Sequence, residues 1–383
     1  MRDCVIVGYG RSAIGKAGKG SLAGVNPVGF AAETLRGVLD RVPGLDLATI
    51  DDVIVGCALP EAALGLNPGR NIVLRAGLPH EVPGETVNRF CSSGLQAIAD
   101  ATARIRSGMA DVVVAGGVEH MSSPVLSDTA EFRDRWLEEH TAAYLPMGVT
   151  GENVARRYGL SRTDLDELAV QSNSRAAAAR EAGWFAGQII PVTGRDAAGE
   201  PVRFDMDEGI RPGTNLESLA GLKPAFAEDG LLTAATSSQR SDGAAFAVLM
   251  SSDRAAALGL RPLARLLGFA VGGVDPAFMG MGPVAAVPKA LAQVGLGVDD
   301  LAVIELNEAF ASQALAVVRD LGFDPERVNP NGGALAMGHP LGATGAILTA
   351  KLLAELERTD QRHGLVTMCV GGGMGAAGVF ERI

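Results

Sequence analysis

The stretch VNRFCSSGLQAIAD, residues 87–100, sets a cysteine between an extended run and an amphipathic helix. Apolar or small residues recur at Leu95, Ile98, Ala99, Thr102 and Ile105, the spacing of a helix with one buried face. Ser92 and Ser93 suit its first turn, Arg104 and Arg106 its last, and Gly108 a stop. Cys91 then falls at the positive end of the helix dipole, where free N–H groups favour a thiolate. The plainer reading is a buried small hydrophobe, the ordinary fate of a lone cysteine. Position raises the chemical reading without deciding it.

Working outward, TVNRFCSSGLQAIA at 86–99 aligns with RVNPNGGAL at 327–335 and GATGAILTA at 342–350. A closing strand follows each, DVVVAGGVE in one case and LVTMCVGGG in the other. Such self-similarity implies two related halves. Strand-like and helix-like segments alternate in both, which predicts an α/β fold with mixed, largely parallel sheets covered by helices. The predicted division is residues 1–120 plus 242–261 for the first half, 121–241 for an inserted loop or lid, and 262–383 for the second half. The inserted part is distinct in character, with charged EFRDRWLEEH, a capped helix near SRTDLDELAVQSNSRAAAAREAG and the loop-like DMDEGIRPGTNLESLAGLKPAF.

Composition narrows the function class. The 383 residues are 47% hydrophobic with 50 glycines, enough core material for more than one subdomain and many tight turns. A net charge of −11 argues against nucleic-acid or anionic-membrane partners, which require a basic field. No apolar run is long enough to span a bilayer. Cys4, Cys57, Cys91 and Cys369 lack metal-ligand spacing, as do the histidines, so no metal is expected. The start MRDCVIVGYG has no secretory pattern and the end FERI no peroxisomal tripeptide, so a reduced, cytoplasmic protein is expected.

GYGRSA at 8–13 matches a dinucleotide fingerprint, but the helix it requires is replaced by the glycine-rich IGKAGKGSLAGVNP, so NAD is discounted. Four other sites sit at predicted strand ends or the turns after them, the edge where open α/β sheets bind ligands. Cys91 is one. Asn307 in NEAFA is placed to fix a water or an oxyanion, or simply to cap a helix. His339 in GHPLGATG is a candidate general base, or a satisfied turn residue. Cys369 in MCVGGGMG stands beside glycines that let a ligand approach backbone N–H groups.

The blocks VNRFCSSGLQA, NEAFA, GGALAMGHPLGATG and CVGGGMG, in that order, resemble the signature blocks of the thiolases, and TSSQRSDGAA and PMGVTGENVA match further blocks. The similarity runs over essentially the whole chain. It implies a five-layered α-β-α-β-α fold of two duplicated halves with an inserted loop domain, and a homodimer or homotetramer. Cys91 would be the nucleophile taking an acyl group from a 3-ketoacyl-CoA. His339 would draw off its proton and share an oxyanion hole with a water held by Asn307. Cys369 would move the proton at the carbon beside the thioester, and the N–H groups of Cys91 and Gly371 would form a second oxyanion hole. Ser238 resembles a pantetheine contact, while Arg211, Ser218, Phe226 and Met147 align with positions near CoA. Coenzyme A would be a substrate, with no separate cofactor.

Pro146 before Met147, with GCALPEA, DEGIRPGT and LKPAF, leans toward degradative 3-ketoacyl-CoA thiolases serving fatty-acid oxidation, which sometimes have a hydratase/dehydrogenase partner subunit. Ala235 in TAATSSQ departs from the usual glycine. The alternatives are an acetoacetyl-CoA thiolase working toward condensation, a ketoacyl synthase, and a non-catalytic acyl-CoA-binding homologue. Cys369 argues against the synthase, and the intact reactive residues argue against the binding protein.

Overall fold

The structure, a computed structural model, describes residues 2–125, 131 and 133–383. The first half contributes β1 (Cys4–Arg11), β2 (Gly15–Lys16), α1 (Pro27–Leu39), β3 (Asp52–Gly56), α2 (Pro68–Arg75), β4 (Glu85–Val87), α3 (Ser93–Ser107) and β5 (Val112–His120). Next come α4 (Arg135–His140), α5 (Met147–Arg157), α6 (Arg162–Glu181), β6 (Val192–Arg195), β7 (Pro201–Phe204) and α7 (Leu216–Ala220). The chain then returns through β8 (Ser241–Ser251), α8 (Ser252–Ala257) and β9 (Ala264–Gly273). It finishes with α9 (Gly282–Val294), β10 (Val303–Leu306), α10 (Ala311–Leu321), α11 (Ala334–Met337), α12 (Leu341–Arg358), β11 (His363–Val370) and β12 (Met374–Arg382).

Strand order is β10-β11-β12-β9-β1-β8-β5-β3-β4, and β1 meets β9 through the single pair Ile6–Ala264. Two half-sheets are thus joined at one seam. Parallel pairing is confined to β3–β4, β3–β5 and β10–β11, while every junction around β8, β9 and β12 is antiparallel. The largely parallel sheet expected from the strand–helix alternation is therefore corrected. β8 comes back from the inserted segment and slots between β1 and β5, and β11 turns directly into β12, so neither needs the crossover helix of a parallel pair.

Side-chain alternation explains the layers. In β5, Val112, Val114 and Val118 face one core while Val113 and Ala115 face another; in β8, Phe246, Val248 and Met250 separate from Ala247 and Leu249 in the same way. Both faces of each strand are buried, so helices must cover both. On the outer side of the first half-sheet lie α1 and α2, with Phe30, Leu35 and Ile72. Outside the second half-sheet lie α9 and α10, with Val287, Leu291 and Val317. Between the half-sheets, α3 and α12 pack together through Leu95, Ile98, Ile347 and Leu352. The result is five layers, α-β-α-β-α.

Glycine lets the two central helices approach. A Cβ on Gly94 would sit 2.8 Å from Gly342 O and 2.9 Å from Ala346 N. This contact brings the start of α3 against the start of α12.

Candidate active site

Cys91 lies in a one-turn 3-10 helix, Phe90–Ser92, after β4 and immediately before α3. The turn is held locally. Asn88 Oδ1 accepts the Phe90 N–H at 2.8 Å, and Ser93 Oγ accepts the Arg89 N–H at 2.9 Å while donating to Phe90 O at 2.7 Å. Phe90 is left-handed at φ 41°, a strained backbone of the kind that accumulates at functional turns. Gly108 ends the helix at φ 80°, as its position in the sequence suggested.

The sequence argument expected the helix terminus to depress the thiol's pKa. Instead, burial pushes Cys91 up to about 11, and the N–H groups of Gly371 and of Cys91 itself offset only part of that. Desolvation outweighs the dipole because protein packs densely around a residue that keeps only part of its surface open, and the regular helix begins only at Ser93. The same two N–H groups nonetheless point at the sulfur, the arrangement that stabilises negative charge once it develops there.

Gly371 begins the three-glycine turn that joins β11 to β12, where Gly372 and Gly373 have φ of 79° and 83°. A Cβ on Gly373 would collide with Val274 O, so both conformation and space demand glycine. A Cβ on Gly371 would meet Phe90 Cγ at 3.7 Å and Met147 Sδ at 3.9 Å, which places this turn, the Cys91 turn and the first residue of α5 side by side. Cys369 sits near the end of β11, wholly buried, and burial raises its pKa strongly, with Cys91 the next contribution. The end of β11 packs on the Cys91 turn, close enough for the two thiols to act on each other's charge.

Asn307 follows β10, and its Nδ2 lies 3.3 Å from His339 Nε2. It is not a helix cap, since α10 begins at Ala311 behind Phe310. Its Oδ1 is buried and makes no hydrogen bond among the described residues. A buried acceptor costs about 1–3 kcal/mol unless a donor such as a water meets it, so this oxygen is suited to hold one.

His339 is also buried, and burial lowers its pKa to about 4, so the ring is neutral at ordinary pH. Its tautomer follows from Thr344, whose Oγ1 donates to Pro340 O at 3.1 Å and must therefore accept from His339 Nδ1–H, 2.6 Å away. Nε2 keeps its lone pair, which accepts from Asn307 Nδ2 at 3.3 Å and is the form needed in a base. Thr344 was missed in the sequence, although its place five residues after the histidine, at the start of a helix, was a readable signal. The expectation that every site residue follows a strand fails for His339. It follows the short helix α11, which the good helix formers of ALAM allow, and is docked by backbone bonds to Gln239 O and pairing with Arg240.

Among the other candidates, Met147 and Phe226 are partly exposed at this edge, and the Phe226 ring packs edge-on against Phe310 at 5.8 Å. Ser238 is tied to Ala309 O through its N–H, beside the Asn307 segment. Arg211 and Ser218 are exposed in the segment before and in α7. The Ser218 hydroxyl is engaged as the capping-box partner of Asn215, donating to its carbonyl at 2.7 Å. The structure thus gathers Cys91, Cys369, Gly371 and Met147 at one point and Asn307 with His339 at another, with the α3–α12 contact joining the Cys91 turn to the helix that follows His339.

Comparison with known proteins agrees with this geometry. The family model for the thiolase N-terminal domain matches residues 4–253, and that for the thiolase C-terminal domain matches residues 260–382. The chain is 50% identical to a 3-ketoacyl-CoA thiolase of Bacillus subtilis over the full length of both, and 45% identical to an acetyl-CoA acetyltransferase of Pseudomonas aeruginosa, again over the full length of both. The crystal structure of the Bacillus anthracis acetyl-CoA acetyltransferase superposes with a TM-score of 0.92 at 41% identity, covering 100% of this chain and 99% of that one. With two family models spanning nearly all of it and relatives of this similarity along its whole length, the chain belongs to the thiolase family.

Proposed function

We propose that the chain is an acyltransferase that cleaves 3-ketoacyl-CoA with coenzyme A, releasing acetyl-CoA and an acyl-CoA shorter by two carbons. The observation that carries this reading is the packing of the Cys91 turn against the end of β11, which carries Cys369, and against the Gly371 turn. A nucleophile, an acid/base thiol and an anion-binding N–H are what a carbon–carbon cleavage next to a thioester needs.

In the first half-reaction the Cys91 proton passes to His339 Nε2 as the sulfur attacks the 3-keto carbon. The resulting oxyanion on C3 is held by the N–H groups of Cys91 and Gly371. The bond between C2 and C3 then breaks, the enolate oxygen that forms on the departing thioester is held by the protonated His339 and a water on Asn307 Oδ1, and C2 takes the proton of Cys369, giving acetyl-CoA. In the second half-reaction CoA gives its thiol proton to the Cys369 thiolate and attacks the acyl group on Cys91. The oxyanion again sits against the N–H groups of Cys91 and Gly371. Collapse frees the acyl-CoA, and His339 returns its proton to Cys91.

High thiol and low imidazole pKa values suit this order, because neither group carries charge until substrate is in place. Met147 and Phe226 offer apolar surface to the pantetheine arm, Ser238 a polar contact, and Arg211 and Ser218 positions for the phosphate-bearing end. The described residues of the inserted segment, 133–240, serve as the lid over that arm. We place the protein in the cytoplasm as a homodimer or homotetramer in fatty-acid breakdown, with a hydratase/dehydrogenase subunit as its natural supplier. In the structure, no described helix is long and apolar enough to cross a membrane.

A second reading, an acetoacetyl-CoA thiolase, is favoured by the two acetyltransferase relatives. CoA-dependent cleavage measured on 3-ketoacyl-CoA esters of increasing length separates the two. Turnover of long as well as four-carbon substrates is expected; strict restriction to four carbons would establish the second reading.

A further inference from the structure

The strand β5, VVVAGGVEH, is apolar until it reaches Glu119, which is completely buried. A carboxylate there is tolerable only if donors surround it. Four donors do. Oε2 accepts the N–H of Ala58 at 2.9 Å and of Gly342 at 2.8 Å, and Oε1 accepts the Leu59 N–H at 3.2 Å and faces the Cys57 thiol at 3.6 Å. Burial raises the carboxyl's pKa, and these bonds offset only part of that rise. A protonated carboxyl would turn an O–H toward donors, so this shell holds the ionised form.

Those donors belong to separate segments. Ala58 lies just after β3, and its carbonyl accepts from Asn88 Nδ2 at 2.9 Å. Asn88 Oδ1 in turn accepts the Phe90 N–H, fixing the left-handed residue before Cys91. Gly342 lies three residues beyond His339, and a Cβ there would come within 2.6 Å of Cys57 Cα, so the start of α12 is pressed directly onto the segment Glu119 binds.

We propose that Glu119 is a positioning residue of the acyl-transfer site, setting the Cys91 turn through Ala58 and Asn88 and the His339 turn through Gly342. The inference rests on the function proposed above for Cys91 and His339. One carboxylate fixes two loops far apart in sequence, a distance relation that neither loop's own hydrogen bonds supply. Its charge also acts on Cys91, raising the thiol's pKa behind the larger effect of burial. The other titratable groups packed around the turn are Cys369 on β11, His339 ahead of α12, Cys57 behind Glu119, and Arg89, which bonds Gln96 at 2.8 Å.

The test uses the full chain with Glu119→Gln and Asn88→Ala, following Cys91 alkylation by iodoacetamide against pH and acylation of Cys91 by a 3-ketoacyl-CoA in single turnover. Glu119→Gln is expected to slow acylation on the order of tenfold or more and to move the alkylation midpoint to lower pH by about half a unit, because a negative charge is lost. Asn88→Ala, at an exposed position, is expected to slow acylation on the order of tenfold with little change in KM and no fall in the midpoint. Unchanged acylation and an unchanged midpoint in Glu119→Gln overturn the proposal. Should that variant not fold, wild-type acylation in Asn88→Ala overturns it and slowed acylation supports it. If the wild type forms no acyl adduct, the proposed function fails instead, and the alkylation midpoints still decide the role of Glu119.

Discussion

Replacing Thr344 with valine removes one oxygen and keeps the shape of the side chain. Its hydroxyl accepts from His339 Nδ1–H at 2.6 Å, inside a site where the ring is almost fully buried. Losing that acceptor leaves a buried donor unpaired, at a cost of about 1–3 kcal/mol. The ring escapes the cost by moving its proton to Nε2, and that tautomer has no lone pair to receive the Cys91 proton. Either route raises the barrier by a similar amount, and since about 1.4 kcal/mol is a factor of ten, acylation should slow roughly ten- to a hundredfold. The assay is a rapid-quench single turnover with a 3-ketoacyl-CoA, reading the acyl mass on the Cys91 peptide. Thr344→Ser, which keeps the oxygen, should recover most of the rate. Wild-type acylation in Thr344→Val would refute the tautomer argument.

Three further outcomes follow from the geometry. Because His339 protonates only near pH 4 and Cys91 ionises only near 11, kcat/KM should stay flat from about pH 5 to 9, with loss of the base as pH falls through 4; a limb at pH 6–7 assigned to His339 would contradict its burial. Lys351→Met strands Glu305, which the ammonium contacts at 2.7 Å with both side chains buried, and should cost on the order of 3–5 kcal/mol, read as a markedly lower thermal midpoint at pH 8. Gly94→Ala forces a methyl toward Gly342 O and Ala346 N and should destabilise the chain by about 1–3 kcal/mol while slowing acylation, checked by denaturant titration alongside single turnover.

Much of the fold was readable because burial of both strand faces and the repeated strand–helix blocks leave few alternatives. The helix over Ser93–Ser107 and its stop at Gly108 emerge from periodicity and end residues alone. Strand direction did not emerge, because the insertion of β8 between β1 and β5 is a long-range pairing with no local signature. At the site, residue types and turn glycines pointed to Cys91, Asn307, His339 and Cys369. Their protonation did not follow, because a helix terminus can be read in a sequence whereas desolvation depends on everything packed around the sulfur. The contacts of Thr344 and Glu119 were equally hidden, since both act through partners that only the folded chain brings near.

The most direct measurement is peptide mass mapping of the chain after incubation with a 3-ketoacyl-CoA, before and after CoA is added. The account predicts an acyl adduct on Cys91 that CoA removes, and neither adduct nor turnover in Cys91→Ala. An adduct on any other residue, or turnover that survives in Cys91→Ala, would contradict it.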